Sequence, residues 1–268
     1  MRKRIWMVLL LVGMLLLTAC VREEPLFGDR PAPGQPTLMQ ESSGKVHFPE
    51  PPTEPPTEPE VTEPVITAPE TLRTMLAANG TTVQELTQLG CKQLVTVAAE
   101  GAAARIELYI LENDQWIRQE TLSCSGYVGM NGTKAYKREG DGCSPRGLYP
   151  ITQAFYMYEA PRTGLPMFEI TPETYWVDDP TSVYYNKRVE GTDHKDWDSA
   201  EHMIRYGAAY EYGFVVGYNP DGAPYAGSAI FFHVSDHPTS GCIGTDRSFV
   251  LQYLAALDGS RNPYILIR

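Results

Sequence analysis

A histidine and a cysteine nine positions apart carry the chemistry of this 268-residue chain. They lie in the stretch Gly227 to Gly244, GSAIFFHVSDHPTSGCIG. An imidazole beside a thiol makes an activated nucleophile, because a neighbouring imidazolium lowers the thiol pKa and the thiolate is the species that attacks. His233 follows the unbroken apolar run Ala229, Ile230, Phe231, Phe232, which predicts a short strand covered on both faces. The Asp, His, Pro, Thr, Ser and Gly between Ser235 and Gly241 are turn formers, able to fold the chain back and set Cys242 beside His233. Gly241 lets backbone approach a substrate carbonyl, with amides there facing a developing oxyanion. A small buried hydrophobe near a strand-end histidine has the same spacing, so spacing by itself leaves both readings open.

His233 followed by Thr239, Ser240, Gly241, Cys242 and Ile243 resembles the catalytic motif of the L,D-transpeptidases, the YkuD-type domains that cross-link bacterial peptidoglycan. Two positions depart from the common form: Ser240 stands where a second histidine is usual, and Gly244 where arginine is usual. The interval after His233 is also short. A divergent branch, with Phe-Leu-His and then Pro-Thr-Ala-Gly-Cys, is more similar. The resemblance implies Cys242 as nucleophile, His233 as general base, Gly241 as oxyanion backbone, and Thr239 and Ser240 as positioning or substrate contacts. His237 is an exposed loop residue, a supporting partner or a substitute base.

Two further blocks carry the same resemblance. Tyr127 to Leu148 is a long Gly- and Lys-rich loop, and long ordered loops often serve sites. Its Lys137, Arg138, Glu139, Gly140, Asp141, Ser144, Pro145 and Gly147 resemble a family segment that precedes a strand. Arg138, Glu139 and Asp141 either anchor the loop or touch the stem peptide. Thr174 to Val189 holds Asp178, Asp179 and Pro180, then Tyr184, Tyr185, Asn186 and Arg188. Tyr185 and Asn186 either line a substrate groove or pack a sheet edge, and Arg188 is a candidate grip for a substrate carboxylate.

The activity implied is a peptidoglycan L,D-transpeptidase working through a cysteine acyl-enzyme on stem peptides, with no cofactor, no metal and a monomeric chain. Water as acceptor gives an L,D-carboxypeptidase instead. A fold that grips peptidoglycan without turnover is the competing class. The implied architecture, over about residues 91–268, is mainly β and sandwich-like with a few short helices.

The elements that must position these residues are legible in outline. Gln93–Ala98, Ala104–Leu111 and Trp116–Leu122 predict an antiparallel meander, with turns at Glu100-Gly101 and Asn113-Asp114. Ala209–Tyr218 predicts a strand, and Tyr264–Ile267 a closing one. Phe249, Val250, Tyr253, Leu254 and Leu257 form one stripe of a helix capped by Thr245 or Asp246. Glu70–Leu89 predicts short helical turns. Asp193–Arg205 gathers His194, Asp196, Asp198, Glu201 and His202, but without a zinc-protease spacing, and Ser199–Ile204 also reads as a short helix.

Upstream, Arg2, Lys3 and Arg4 precede the apolar run Ile5 to Leu17, and Leu17-Thr18-Ala19-Cys20 resembles a bacterial lipobox. Residues 1–20 are therefore expected to be a lipoprotein signal peptide, with Cys20 lipidated. That anchor would hold the protein on the extracytoplasmic face of the membrane, reaching into the wall. Residues 21–69 include PEPPTEPPTEPEVTEP, whose prolines and repelling glutamates favour an extended stalk over a core. Residues 70–268 are then expected to be the folded domain, catalytic if the resemblance holds. A formal net charge of −11, with no basic stripe, excludes a nucleic-acid partner. With Cys20 and Cys242 assigned, Cys91, Cys124 and Cys143 remain. Three pairings are possible, and Cys124 with Cys143 would staple the long loop to its strand.

Overall fold

The computed structural model describes residues 65–268. The signal segment, Cys20 and most of the stalk lie outside them. The folded unit begins ahead of residue 70: Thr67 bridges to Gln115 and Ala68 is buried. Helices α1 (Glu70–Ala78) and α2 (Val83–Gln88) follow. A capping box holds the start of α2, with the Thr82 hydroxyl accepting from Glu85 N–H and the Glu85 carboxylate accepting from Thr82 N–H. Leu72, Leu76 and Leu86 pack with Leu94, Tyr109 and Trp116.

The meander forms as expected: β1 (Gln93–Glu100), β2 (Ala103–Glu112) and β3 (Gln115–Tyr127). Asn113 and Asp114 both take positive φ, as a two-residue type I′ hairpin turn demands. In the long loop, β4 (Thr133–Lys134) pairs in parallel with β5 (Ser144–Pro145). Next come β6 (Gly147–Tyr156) and β7 (Met167–Glu169), then a separate three-stranded sheet of β8 (Thr174–Val177), β9 (Arg188–Glu190) and β10 (Ala200–His202). The short helix anticipated over 199–204 is thus a strand that runs into a 3₁₀ segment, Met203–Tyr210. This segment also delays the following strand, so that β11 spans only Tyr212–Val216. The chain ends with β12 (Phe231–Val234), β13 (Ile243–Thr245), α3 (Arg247–Ala256) and β14 (Pro263–Ile267).

Where a two-sheet sandwich was expected, the main sheet closes into an eight-stranded barrel, in the order β11-β12-β13-β3-β2-β1-β14-β6. Two long-range events close it. β14 inserts between β1, in parallel, and β6, antiparallel, while β6 pairs with β11. Along β12 and the approach to β13, alternation then sorts the side chains. Phe232 and Ile243 enter the barrel core with Phe214, Tyr253 and Ile265. Phe231 and Cys242 point outward, into a second apolar cluster with Phe155, Phe168, Trp176, Met203 and Tyr210. The candidate chemistry therefore sits outside the barrel wall, under the three-stranded sheet and the 3₁₀ segment.

Candidate functional site

β12 and β13 run parallel, with Phe232 opposite Ile243 and His233 opposite Gly244. Cys242 thus falls on the face shared by Phe231 and His233, one step back along the ladder. The eight residues between the strands make the return the turn formers predicted. The expected strand from Ala229 starts two residues late, because Ala229 sits at φ 51 with its N–H donated to Asn186 Oδ1 at 3.0 Å.

The thiol and the imidazole share a face but not a hydrogen bond. Cys242 Sγ accepts from Phe231 N–H at 3.3 Å and donates to the Ala229 carbonyl at 3.2 Å. His233 Nδ1 bonds the Val234 carbonyl at 2.9 Å, and the Ala209 carbonyl also faces the ring. Burial lowers the His233 pKa to about 4, against the pull of those two carbonyls toward the cation. Burial first, then the nearby Glu201 charge, raises the Cys242 pKa to about 12, against the Phe231 amide, Lys137 and Tyr210. Both shifts favour the neutral thiol and the neutral imidazole, the pair from which a histidine acting as general base would start.

The turn around the cysteine is tightly held. Thr239 Oγ1 donates to the Cys242 carbonyl at 2.6 Å and accepts from Gly241 N–H at 3.2 Å, so that amide is engaged within the turn and not free for an oxyanion. Ser144 Oγ donates to the Gly241 carbonyl at 2.6 Å. Gly241 takes φ 155, and a Cβ there would stand 3.0 Å from the Cys143 carbonyl and 3.4 Å from Lys137 Nζ. At Gly244 a Cβ would meet Ser235 Cβ at 2.5 Å, which leaves no room for the arginine usual in the resembled motif. Ser240 is exposed. His237 is also exposed, its Nδ1 on Asp236 at 2.7 Å.

The other nominated residues converge, but on a backbone segment. Asp141 accepts from Lys137 Nζ at 2.9 Å and from the amides of Arg138 and Cys143, organising its loop. Glu139 accepts from the Tyr185 hydroxyl and from Ser228 Oγ. Tyr185 Oη in turn accepts from Gly227 N–H at 2.9 Å. Asn186 Oδ1 accepts from Trp176 Nε1 and Ala229 N–H, while its Nδ2 donates to the Tyr218 and Asn219 carbonyls. These residues bind segment 225–229, which includes three positive-φ residues, Tyr225, Gly227 and Ala229. Tyr185 and Asn186 are therefore scaffold for the strap over the thiol. Arg188 lies over the Phe168 ring at 4.1 Å and near Glu190, and Arg138 is exposed.

The four described cysteines are all unpaired and buried. Cys124 meets Thr245 Oγ1 at 3.5 Å from β3, whereas Cys143 faces the Asn131 carbonyl inside the loop, so the anticipated disulfide does not form. The acid and histidine cluster of 193–205 disperses. Asp196 accepts from Ser182 and Val183, and His202 stacks on Tyr175. Among the described residues, no group of three or more His, Cys, Asp or Glu side chains is arranged to hold a metal ion.

Sequence reasoning missed the polar groups nearest the thiol. Tyr210 is buried, its ring 5.1 Å from His233, and its hydroxyl donates to Glu201 Oε2 at 2.6 Å. Burial, with Asp178 and Glu139 nearby, pushes Glu201 up to about 7. Lys137, also buried, runs its stem past Gly227 and brings Nζ to Gly241. Period-2 patterning had no access to Tyr210, because a 3₁₀ segment delivers it. Comparison of the chain with family models, with curated proteins and with solved structures finds no match.

Proposed function

We propose that this chain is a peptidoglycan L,D-transpeptidase that works through an acyl-enzyme on Cys242. The observation that carries the reading is the parallel β12–β13 register. It gathers the cysteine and histidine of the motif on one buried face, beside a hydrogen-bonded tyrosine and glutamate. In the reaction, the Cys242 sulfur attacks the stem amide carbonyl before a terminal D-alanine, and D-alanine leaves. An amine of a second stem then resolves the thioester. Water in its place releases a shortened stem, the carboxypeptidase outcome. The proposed setting is a lipid anchor at Cys20 and a Pro/Thr/Glu-rich stalk, which deliver the domain to the wall outside the membrane.

One observation favours a second reading, a wall-gripping protein without turnover. The resting thiol is sealed by the Ala229 carbonyl and strongly protonated. Intact-mass measurement on the full-length chain in detergent separates the two. Incubation with a carbapenem gives an adduct on the parent and none on Cys242→Ala if Cys242 is an acylatable nucleophile. A folded parent with no adduct removes the transpeptidase and leaves the binding reading. With the adduct in hand, a disaccharide-tetrapeptide substrate distinguishes cross-linked dimer from tripeptide product.

A further inference from the structure

Transpeptidase chemistry at Cys242 needs a group to take the thiol proton, and the resting structure gives the obvious one, His233, no hydrogen bond to the sulfur. His233 directs Nδ1 at the Val234 carbonyl and has the Ala209 carbonyl as its other partner. Neither ring nitrogen makes a hydrogen bond to Cys242. A different chain of groups starts in the sulfur's own buried cluster. Tyr210 shares the apolar cluster of Cys242 and packs its ring against Phe231, whose N–H caps Sγ. Its hydroxyl donates its one proton to Glu201 Oε2 at 2.6 Å, which leaves the Oη lone pairs to accept. Tyr206 stacks on Tyr210 at 4.4 Å and is itself partly open to solvent, as is Glu201. The carboxyl therefore has a short route to bulk water.

Resting on the acyl-enzyme reading, we infer that Glu201, acting through the Tyr210 phenol, receives the Cys242 proton during acylation. The step balances. As the S–C bond forms and the carbonyl electron pair moves to oxygen, the thiol proton passes to Tyr210 Oη and the phenol's own proton to Glu201 Oε2. When the tetrahedral adduct collapses, the C–N bond breaks. The proton then returns through Tyr210 to the departing D-alanine amine. Tyr210, buried in the same cluster as the sulfur, carries the proton; Glu201 acts through it.

The charged and titratable groups facing this carboxyl come from four places. Tyr206 and Tyr210 stand on the 3₁₀ segment, Asp178 just after β8, Glu139 in the loop between β4 and β5, and Cys242 before β13. The two acids oppose ionisation of Glu201, and burial does so most, which holds its pKa at about 7. An acceptor matched to neutral pH transfers protons most effectively.

The test is the rate of carbapenem adduct formation on the full-length chain between pH 5.5 and 8.5, for the parent, Glu201→Gln and Tyr210→Phe. Both substitutions keep shape, and circular dichroism checks their fold. The parent should accelerate through about pH 7. Glu201→Gln should lose that inflection and acylate about 100-fold more slowly, the usual scale of general-base assistance. Tyr210→Phe should be slowed in the same direction. A bystander carboxylate predicts the opposite sign, because losing a negative charge beside the thiol eases its ionisation. Glu201→Gln that acylates as fast as the parent, or faster, therefore overturns this inference alone. A parent that forms no adduct at any pH overturns the acyl-enzyme reading and this inference with it.

Discussion

Asn186→Ala should unfold the strap over the thiol before it unfolds anything else. The Asn186 amide makes four hydrogen bonds, at 3.0 Å from Trp176 Nε1, 3.0 Å from Ala229 N–H, 2.9 Å to the Tyr218 carbonyl and 2.8 Å to the Asn219 carbonyl. Trp176 and Ala229 are both buried. Leaving a buried donor unsatisfied costs about 1–3 kcal/mol, so the two lost acceptances alone amount to about 2–6 kcal/mol. The two carbonyls have second lone pairs or water to turn to and add little. Asn186 also occupies φ 58, where alanine is disfavoured by roughly another 1 kcal/mol. A loss of about 4 kcal/mol is near the upper end for a single substitution.

Urea unfolding at constant pH measures that loss as a fall in midpoint without a change in slope. Iodoacetamide labelling of Cys242 below the transition measures the local effect. Ala229 is held by Asn186 and in turn holds the thiol, so labelling should accelerate at least about tenfold once its local opening costs about 1.4 kcal/mol less. A loss below about 1 kcal/mol, together with unchanged labelling, would refute the assignment of Asn186 as the hub of the strap. It would also reopen the substrate-groove alternative that the sequence leaves for Asn186.

Other substitutions test the electrostatics and the turn. Glu201 has its folded pKa raised to about 7, so its contribution to stability is present below the unfolded value of 4.5 and is lost as pH rises through 7. The stability of Glu201→Gln relative to the parent should therefore improve by about 2 kcal/mol from pH 4.5 to 8, a figure reduced for the partial exposure of the residue. Urea midpoints at both pH values read it, and a difference independent of pH would sink the assignment. His233, lowered to about 4, works in the opposite sense: its contribution is present above the unfolded 6.5 and fades as pH falls through 4. The parent should accordingly show a shallow stability profile between pH 4.5 and 7. Gly241→Ala places a Cβ 3.0 Å from the Cys143 carbonyl at φ 155, and should cost about 1–3 kcal/mol and slow the adduct. Unchanged stability there would mean that the turn relaxes freely.

What the sequence made legible was local. The hairpins, α3 and the return from His233 to Cys242 follow from turn chemistry and periodicity, because the deciding residues are neighbours in the chain. Closure of the barrel follows from no such signal. It depends on β14 finding a slot between β1 and β6, more than a hundred residues away, and on a contact of β13 with β3 at the single pair Gly244 and Tyr127. Ala229 shows the limit at the scale of one residue. It sits in an apolar run that predicts a strand, yet a side chain 43 positions away takes its amide and turns it left-handed. Residue type was ambiguous in the same manner at Tyr185 and Asn186. An Asn with four polar partners reads identically in sequence whether those partners belong to a substrate or to the protein itself. Glu201 and Tyr210 had the opposite fate. Glu201 was visible only as one acid in a cluster, because the 3₁₀ segment that brings Tyr210 to it has no periodic signature.

In the proposed relay the strap and the carboxyl act on the same sulfur with opposite consequences, and that opposition separates mechanism from simple loosening. For the proposed acylation of Cys242, the Ala229 carbonyl that now accepts the thiol hydrogen bond has to give way. Strained, non-glycine left-handed residues such as Ala229 and Tyr225 persist only where their surroundings over-determine them. Weakening those surroundings through Asn186→Ala therefore lowers stability and exposes the thiol to alkylation. Removing the ionisable carboxyl through Glu201→Gln raises stability at alkaline pH and slows acylation. If thiol reactivity merely tracked local opening, the more stable variant and the less stable one would lie on one line, with acylation and alkylation following stability alike. The relay instead requires Glu201→Gln to fall far below that line in acylation while its iodoacetamide labelling at high pH stays at or above the parent's, since a small alkylating agent needs only the thiolate.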